Sequence, residues 1–340
     1  MNERRVAVDA MGGDHAPAAI VEGSFAAARE LDIPVTLVGD EPVIRRELVR
    51  LGAAPASLRI EHAPSAVAMD EQATAGLRHR RDTSLAVGVG LVKEGKAGAF
   101  VSAGNSGATM AVATMLLGRQ PGIERPALGT VFPSEFGRFL LLDVGANADT
   151  KPSYLLQFAE LGRAYAEQVL RVSRPRVGLL NIGEEPGKGS EFTREVYERL
   201  ATCAGINFVG NVEGKDLTRG LADVVVTDGF TGNVTIKTAE GVAEFILREL
   251  RGALTSRRRY KLAALVLRPA LLALRQRIDY AEYGGAPLLG LNGAVLISHG
   301  RSTARAIRSA VRAAHEAAAL DWQAPPAQVS SRAAGNGDAS

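Results

Sequence analysis

Two glycine-rich segments carry the side chains best suited to holding an anion. TDGFTGNVTIKTAEG (227–241) puts Asp228 at the end of a β-rich run and Gly232 and Asn233 at a helix start. Lys237 follows four residues after Asn233. In a helix that spacing sets Asn233 and Lys237 on one face. An amide, an ammonium and first-turn N–H groups could then meet on one phosphate. The plainer alternative is an N-cap followed by a solvated lysine. SAGNSGA (102–108) runs through Gly104, Asn105, Ser106 and Gly107 into a helical pattern. Successive backbone N–H groups ahead of a helix form an anion cradle. The segment matches neither a P-loop nor a G-x-G-x-x-G fingerprint, and Asn105 or Ser106 could equally serve only as a helix cap.

Two further loops offer titratable groups. NIGEEPGKGS (181–190) places Glu184, Glu185 and Lys188 between glycines, with Lys188 a secondary phosphate candidate. MGGDHAP sets His15 beside Asp14 and ahead of Pro17, where it is either an acid–base group or part of a helix start. No covalent nucleophile is apparent: no G-x-S-x-G elbow occurs, and Cys203 ends a helical pattern, as a small buried residue would. Neither H-E-x-x-H nor paired His/Cys spacing is present, so no metal or other cofactor is expected.

These loops need a scaffold that presents them. Short apolar runs, from Arg5–Asp9 through Ala99–Ser102, Phe139–Asp143, Val177–Asn181 and Val224–Thr227 to Ala294–Ser298, alternate with helical patterns. The alternation predicts an α/β fold with a doubly wound, mostly parallel sheet layered with helices. Five polar, glycine-bearing loops follow strands: MGGD, SAGNSG, DVGAN, NIGEE and TDGFTGN. Ligands in such sheets bind outside the carboxyl ends of strands, which predicts that all five face one crevice.

Composition narrows the class. The 340 residues are 46% hydrophobic and 23% charged, enough for one large α/β domain over 1–322. A net charge of +3 gives no global polyanion field, and 5% aromatics leave few stacking platforms, so nucleic acid is not an expected partner. One cysteine and no apparent signal peptide or membrane span fit a reducing, cytoplasmic setting. The Pro/Ala/Ser/Gly-rich stretch 323–340 reads as a disordered tail.

Residues 251–280 stand apart. Arg251–Arg277 holds eight Lys/Arg and no acid, including Arg257, Arg258, Arg259 and Lys261. Leu262–Leu274, with Leu265 and Val266, is apolar apart from Arg268, and Pro269 is expected to break the helix. A helical hairpin with an apolar tip and basic flanks suits peripheral contact with an anionic membrane or an acidic protein surface. A buried dimer interface is the alternative reading.

Motifs spread along the chain resemble one family. VDAMGGDHAP, SAGNSGA, DVGANADTKP, NIGEEPGKG, FVGNVEGKD, VTDGFTGNVTIK and YGGAPLLGLNGAVLISHG, spanning Val8–Gly300, are similar to the phosphate acyltransferases of the PlsX family. Ser106 and Thr150 depart from its pattern, where Thr and Cys are expected. The resemblance implies a Rossmann-like homodimer related to isocitrate dehydrogenases and phosphate acetyltransferase. It implies transfer of a fatty acyl group from acyl carrier protein to inorganic phosphate, with the acyl phosphate passed to a membrane glycerol-3-phosphate acyltransferase. In this reading Asn105, Asn233 and Lys237 hold phosphate or the oxyanion, and Asp228 or His15 manages a proton. A short-chain acyl-CoA phosphate acyltransferase is the alternative.

Overall fold

The computed structural model describes residues 4–71, 80–278 and 284–319, with side chains 273–278 outside that set. The stretch 323–340, and the end of the 251–280 segment, lie outside the described residues. The strands are β1 Val6–Asp9, β2 Val35–Gly39, β3 Leu58–His62, β4 Ala99–Ser102, β5 Ala127–Ser134 and β6 Gly137–Leu142, followed by β7 Arg176–Asn181, β8 Asn207–Glu213, β9 Val224–Val226, β10 Ala286–Leu289 and β11 Ala294–Ile297. The helices are α1 Ala18–Glu30, α2 Glu41–Leu51, α3 Ser84–Lys93, α4 Ser106–Leu117 and α5 Pro152–Gln168, followed by α6 Glu191–Ala201, α7 Gly229–Thr255, α8 Arg258–Ile278 and α9 Ala304–Ala317.

The strands form one sheet in the order β3-β2-β1-β4-β11-β10-β5-β6-β9-β7-β8. The β3-β2-β1-β4-β11 half is parallel throughout, as is the β6-β9-β7-β8 half. Between them, β10 runs antiparallel to both β11 and β5, and β5 antiparallel to β6. The two halves therefore point in opposite directions. The loops after β1 and β4 therefore leave one edge of the sheet and those after β6, β7 and β9 the other, so loops of the two halves can meet only across a face of the sheet and not along one shared edge. The reversal rests on the β5–β6 hairpin, because the two antiparallel pairings of β10, with β11 and with β5, cancel one another.

Alternation along the strands divides the core. On one face Phe100, Val295, Leu128, Phe139, Leu141 and Val225 pack with α3, α4 and Ile236 of α7 in a single cluster. On the other face the first half packs against α1, α2 and α9. There the second half packs against α5 and α6. Period-two burial on both faces is what a sheet covered on both sides requires. Side-chain caps start several helices: Asp40 accepts from Val43 N–H, Thr83 from Ala86, Ser190 from Thr193 and Thr303 from Ala306.

Helix α7 begins at Gly229 rather than Gly232, because Asp228 caps it, and it continues to Thr255. Ser256 and Arg257 then turn the chain into α8, so the hairpin differs from its expected layout. The basic cluster Arg257, Arg258, Arg259 and Lys261 lies at the turn, not on flanks, and the apolar run occupies the α8 arm. Pro269 sits inside α8 without ending it. Arg257 and Arg259 stack on the Tyr260 ring, 5.8 and 5.0 Å from its centroid. Among the described residues no helix is long and apolar enough to cross a membrane.

Candidate functional site

A cavity of about 440 Å³ lies on the α4/α7 face of the sheet. One wall is the α4 N-terminus with its loop, Gly104–Gly107. A second is α7, which contributes Asn233, Ile236, Lys237 and Glu240, an i, i+3, i+4, i+7 stripe. A third is the end of β11 and the turn beyond it, Ile297–Gly300, and Leu128, Val131, Val144 and Ile236 supply apolar surface.

Buried carboxylates shape two of these walls. Asp9, at the end of β1, is 1% exposed and accepts from Ser102 Oγ at 2.8 Å and from Met11 N at 3.1 Å. Ser102 Oγ in turn accepts from Gly104 N at 3.0 Å, so Asp9 sets the loop leading into α4. Burial pushes the Asp9 carboxyl above its ordinary 3.8, against the pull of these hydrogen bonds. The loops after β1 and β4 touch backbone to backbone: a Cβ at Gly12 would lie 2.8 Å from Gly104 Cα. Asp143, fully buried, accepts from the N–H groups of Leu128, Gly145 and Ala146 at Oδ1. Its Oδ2 accepts from Asn147 N at 2.7 Å and Asn147 Nδ2 at 2.9 Å. Burial raises this carboxyl as well. The turn so fixed presents Val144 O to Asn233 Nδ2 at 3.0 Å.

The expected site residues divide accordingly. Gly104, Asn105, Ser106, Gly107, Asn233 and Lys237 share the cavity. Asn105 accepts from Ala108 N at 2.9 Å, and its amide donates to Met69 O and Glu71 O at 2.9 and 2.8 Å. Its amide hydrogens are therefore already engaged, and an anion here meets the Ser106 and Gly107 N–H groups, which have no intrahelical acceptor. Lys237 Nζ pairs with Glu240 Oε2 at 2.9 Å. The other four candidates lie outside the cavity lining. Asp228 caps α7 through Thr231 N at 2.8 Å. Gly232 is buried where a Cβ would overlap Asp143 O. His15 is exposed in the loop before α1. Lys188 is exposed in the loop after β7, at the opposite sheet edge from the α4 loop. Cys203, expected to be buried, is half-buried after α6, with its thiol raised by burial.

The sequence reading passed over Ser298, His299 and Glu240. The first two end a strand before a glycine, the same signal used for the five loops. Glu240 lies one turn beyond Lys237. His299 Nδ1 accepts from Arg301 N at 3.1 Å, so the neutral ring carries its proton on Nε2.

The fatty acid synthesis protein family model matches residues 4–324. A phosphate acyltransferase of Geobacter sulfurreducens is 49% identical over 312 residues, 92% of this chain and 90% of the relative. One from Thermus thermophilus is 52% identical over 307 residues, 90% of this chain and 92% of the relative. The chain belongs to the PlsX family of phosphate acyltransferases. It is an acyltransferase enzyme whose acceptor is phosphate. The same fold is seen in a phosphotransacetylase from Streptococcus pyogenes, with a TM-score of 0.61, 18% identity and 93% and 94% of the two chains covered. A branched-chain phosphotransacylase from Enterococcus faecalis superposes with a TM-score of 0.55 and 15% identity, over 93% and 99% of the chains.

Proposed function

We propose that this enzyme moves a fatty acyl group from acyl carrier protein to inorganic phosphate, giving acyl phosphate for phospholipid synthesis. The observation carrying this reading is one cavity that joins an apolar wall to a helix N-terminus and a lysine. A phosphate oxygen attacks the thioester carbonyl carbon, the C–S bond breaks, and the proton lost by phosphate passes to the departing thiolate. Since phosphate is the nucleophile, the protein's task is placement and charge stabilisation. Ser106 and Gly107 N–H and Lys237 hold the phosphate. Asn233, fixed by Val144 O, lines the wall facing the thioester.

Asp228 and His15 are replaced in this scheme by the thiolate itself as proton acceptor. Phosphate-dependent release of carrier thiol from palmitoyl-carrier protein, with hydroxylamine trapping of acyl phosphate, tests the reaction. Release from a short acyl-CoA but not from the carrier would favour the alternative donor.

The hairpin supports peripheral docking on an anionic membrane, near a membrane glycerol-3-phosphate acyltransferase. Leu262 and Leu265 are 67% exposed and Val266 81%, beside the basic turn. The same basic turn suits an acidic carrier protein. Exposed Phe245 and Ile246 on α7 suit a homodimer contact. Flotation with phosphatidylglycerol vesicles should capture the protein, and Leu265→Glu should reduce capture severalfold without lowering the melting temperature. Capture of neither form would refute the membrane reading.

A further inference from the structure

Among the described residues, the hydroxyl of Ser298 is the buried side-chain polar group of the cavity wall that has no hydrogen-bond partner. Ser298 follows β11, is 5% exposed, and donates its backbone N–H to Ser102 O at 2.8 Å. Its Oγ is buried and has no hydrogen-bond partner. Roughly nine in ten buried polar groups are satisfied, so an orphan at a cavity wall points to a missing ligand. The other unpartnered buried hydroxyls, Ser24 and Ser65, are not part of that wall.

Its surroundings define the ligand's chemistry. The Ser298 N–H bond to Ser102 O joins the end of β11 to the end of β4, whose loop leads into α4. The first-turn N–H groups of α4 line the same cavity. Ser298 Oγ would lie 3.1 Å from a Cβ at Gly285, so only glycine there leaves its flank open. His299 adds an Nε2–H donor. Ser298 has no base in hydrogen-bond contact, so it is not a nucleophile. Donors gathered on this wall, with the Lys237 ammonium in the same cavity, suit an anion, while the one carboxylate of the lining, Glu240, is paired with that ammonium.

We infer that Ser298 donates a hydrogen bond from Oγ to the phosphate bound at the α4 N-terminus, and is a direct determinant of phosphate affinity. The inference rests on the proposed function, because it takes phosphate as the ligand of this cavity.

Calorimetric titration of the full chain with inorganic phosphate alone tests it, beside the KM for phosphate in thiol release. Ser298→Ala should weaken phosphate binding and raise that KM by about tenfold or more, the effect of losing one hydrogen bond to a charged group. Its melting temperature should be unchanged or higher, since the lost hydroxyl has no hydrogen-bond partner within the protein. Ser298→Thr, which keeps the hydroxyl, should retain more affinity than Ser298→Ala. Equal phosphate affinity in the parent and Ser298→Ala would overturn the role of Ser298 and leave the reaction standing. No phosphate binding by the parent, with no phosphate-dependent thiol release, would overturn both.

Discussion

Lys237 and Glu240 should respond in opposite directions to mutation. Lys237 Nζ is held by Glu240 Oε2 at 2.9 Å, with the lysine side chain 53% exposed and the glutamate 15%. Incoming phosphate must take the ammonium from this carboxylate. A half-exposed pair of this kind is worth about 0–1 kcal/mol. A charge-assisted hydrogen bond to phosphate contributes about 1.5–3 kcal/mol. Lys237→Met should therefore reduce kcat/KM for phosphate by roughly tenfold to a hundredfold. Its unfolding free energy should fall by no more than about 1 kcal/mol. Glu240→Gln frees the lysine and removes a negative charge from the site, so the KM for phosphate should fall by up to about fivefold, the ion pair's full worth. In the double variant that gain should vanish, because no ammonium remains to be released. Initial rates of thiol release over a phosphate series, with urea unfolding of each variant, give all the quantities. A tenfold or larger loss in Glu240→Gln would refute the reasoning and make the carboxylate a participant rather than a competitor.

Three further outcomes follow from the scaffold around the cavity. Asp143→Asn sets an amide NH2 against donors that all point at the carboxylate, so urea unfolding should show a loss of about 2–5 kcal/mol; a loss under about 1 kcal/mol would contradict the hydrogen-bond assignment. Gly232→Ala drives a methyl into Asp143 O and brings it to 3.0 Å from Thr227 Cγ2. It should cost about 1–3 kcal/mol and raise the KM for phosphate by displacing Asn233 and Lys237, both measurable on one preparation. Burial would raise the Asp223 carboxyl, but hydrogen bonds from Arg176 side chain and N–H, at 2.8–3.0 Å, hold it below its ordinary 3.8. A depressed carboxyl stabilises fully above its unfolded-state value and loses that contribution as pH falls through the folded one. Asp223→Asn should therefore be less stable than the parent at pH 6, with the gap closing below the ordinary 3.8; a pH-independent gap would show that the charge is not the source.

The alternation of strands and helices was legible because it is written locally. Leu58–His62, Ala99–Ser102, Glu41–Leu51 and Glu191–Ala201 have the bounds that their composition and capping residues indicate. The direction of the second half of the sheet was not legible. It depends on the antiparallel β5–β6 hairpin, since β10, antiparallel to both β11 and β5, leaves those two strands running the same way. Without that antiparallel pairing the two opposed half-sheets read as a single parallel one. The helical hairpin itself was legible, as α7 and α8, but its layout was not, because Pro269 lies inside α8 where a proline ordinarily kinks or ends a helix.

For the site, residue type was a good guide to polarity and a poor guide to availability. Asn105, Asp228 and Asn233 sit where glycine-rich loops meet helices, as ligand-binding residues do, yet each makes a hydrogen bond to the backbone. Asp and Asn are favoured at helix starts for that same reason, so the motif cannot distinguish a cap from a binding group. The distinction lies in which hydrogen-bonding atoms remain unused after folding, a property of the three-dimensional neighbourhood. By that criterion the anion-holding donors are the Ser106 and Gly107 N–H groups and the Ser298 hydroxyl, with the Lys237 ammonium joining them by leaving Glu240. Only Ser298 among them is both buried and unpartnered. A lysine on a helix stripe can find an acid one turn on, as Lys237 does in Glu240, but a hydroxyl enclosed at a strand end has no such recourse, which makes Ser298 the more discriminating position at which to test where phosphate binds.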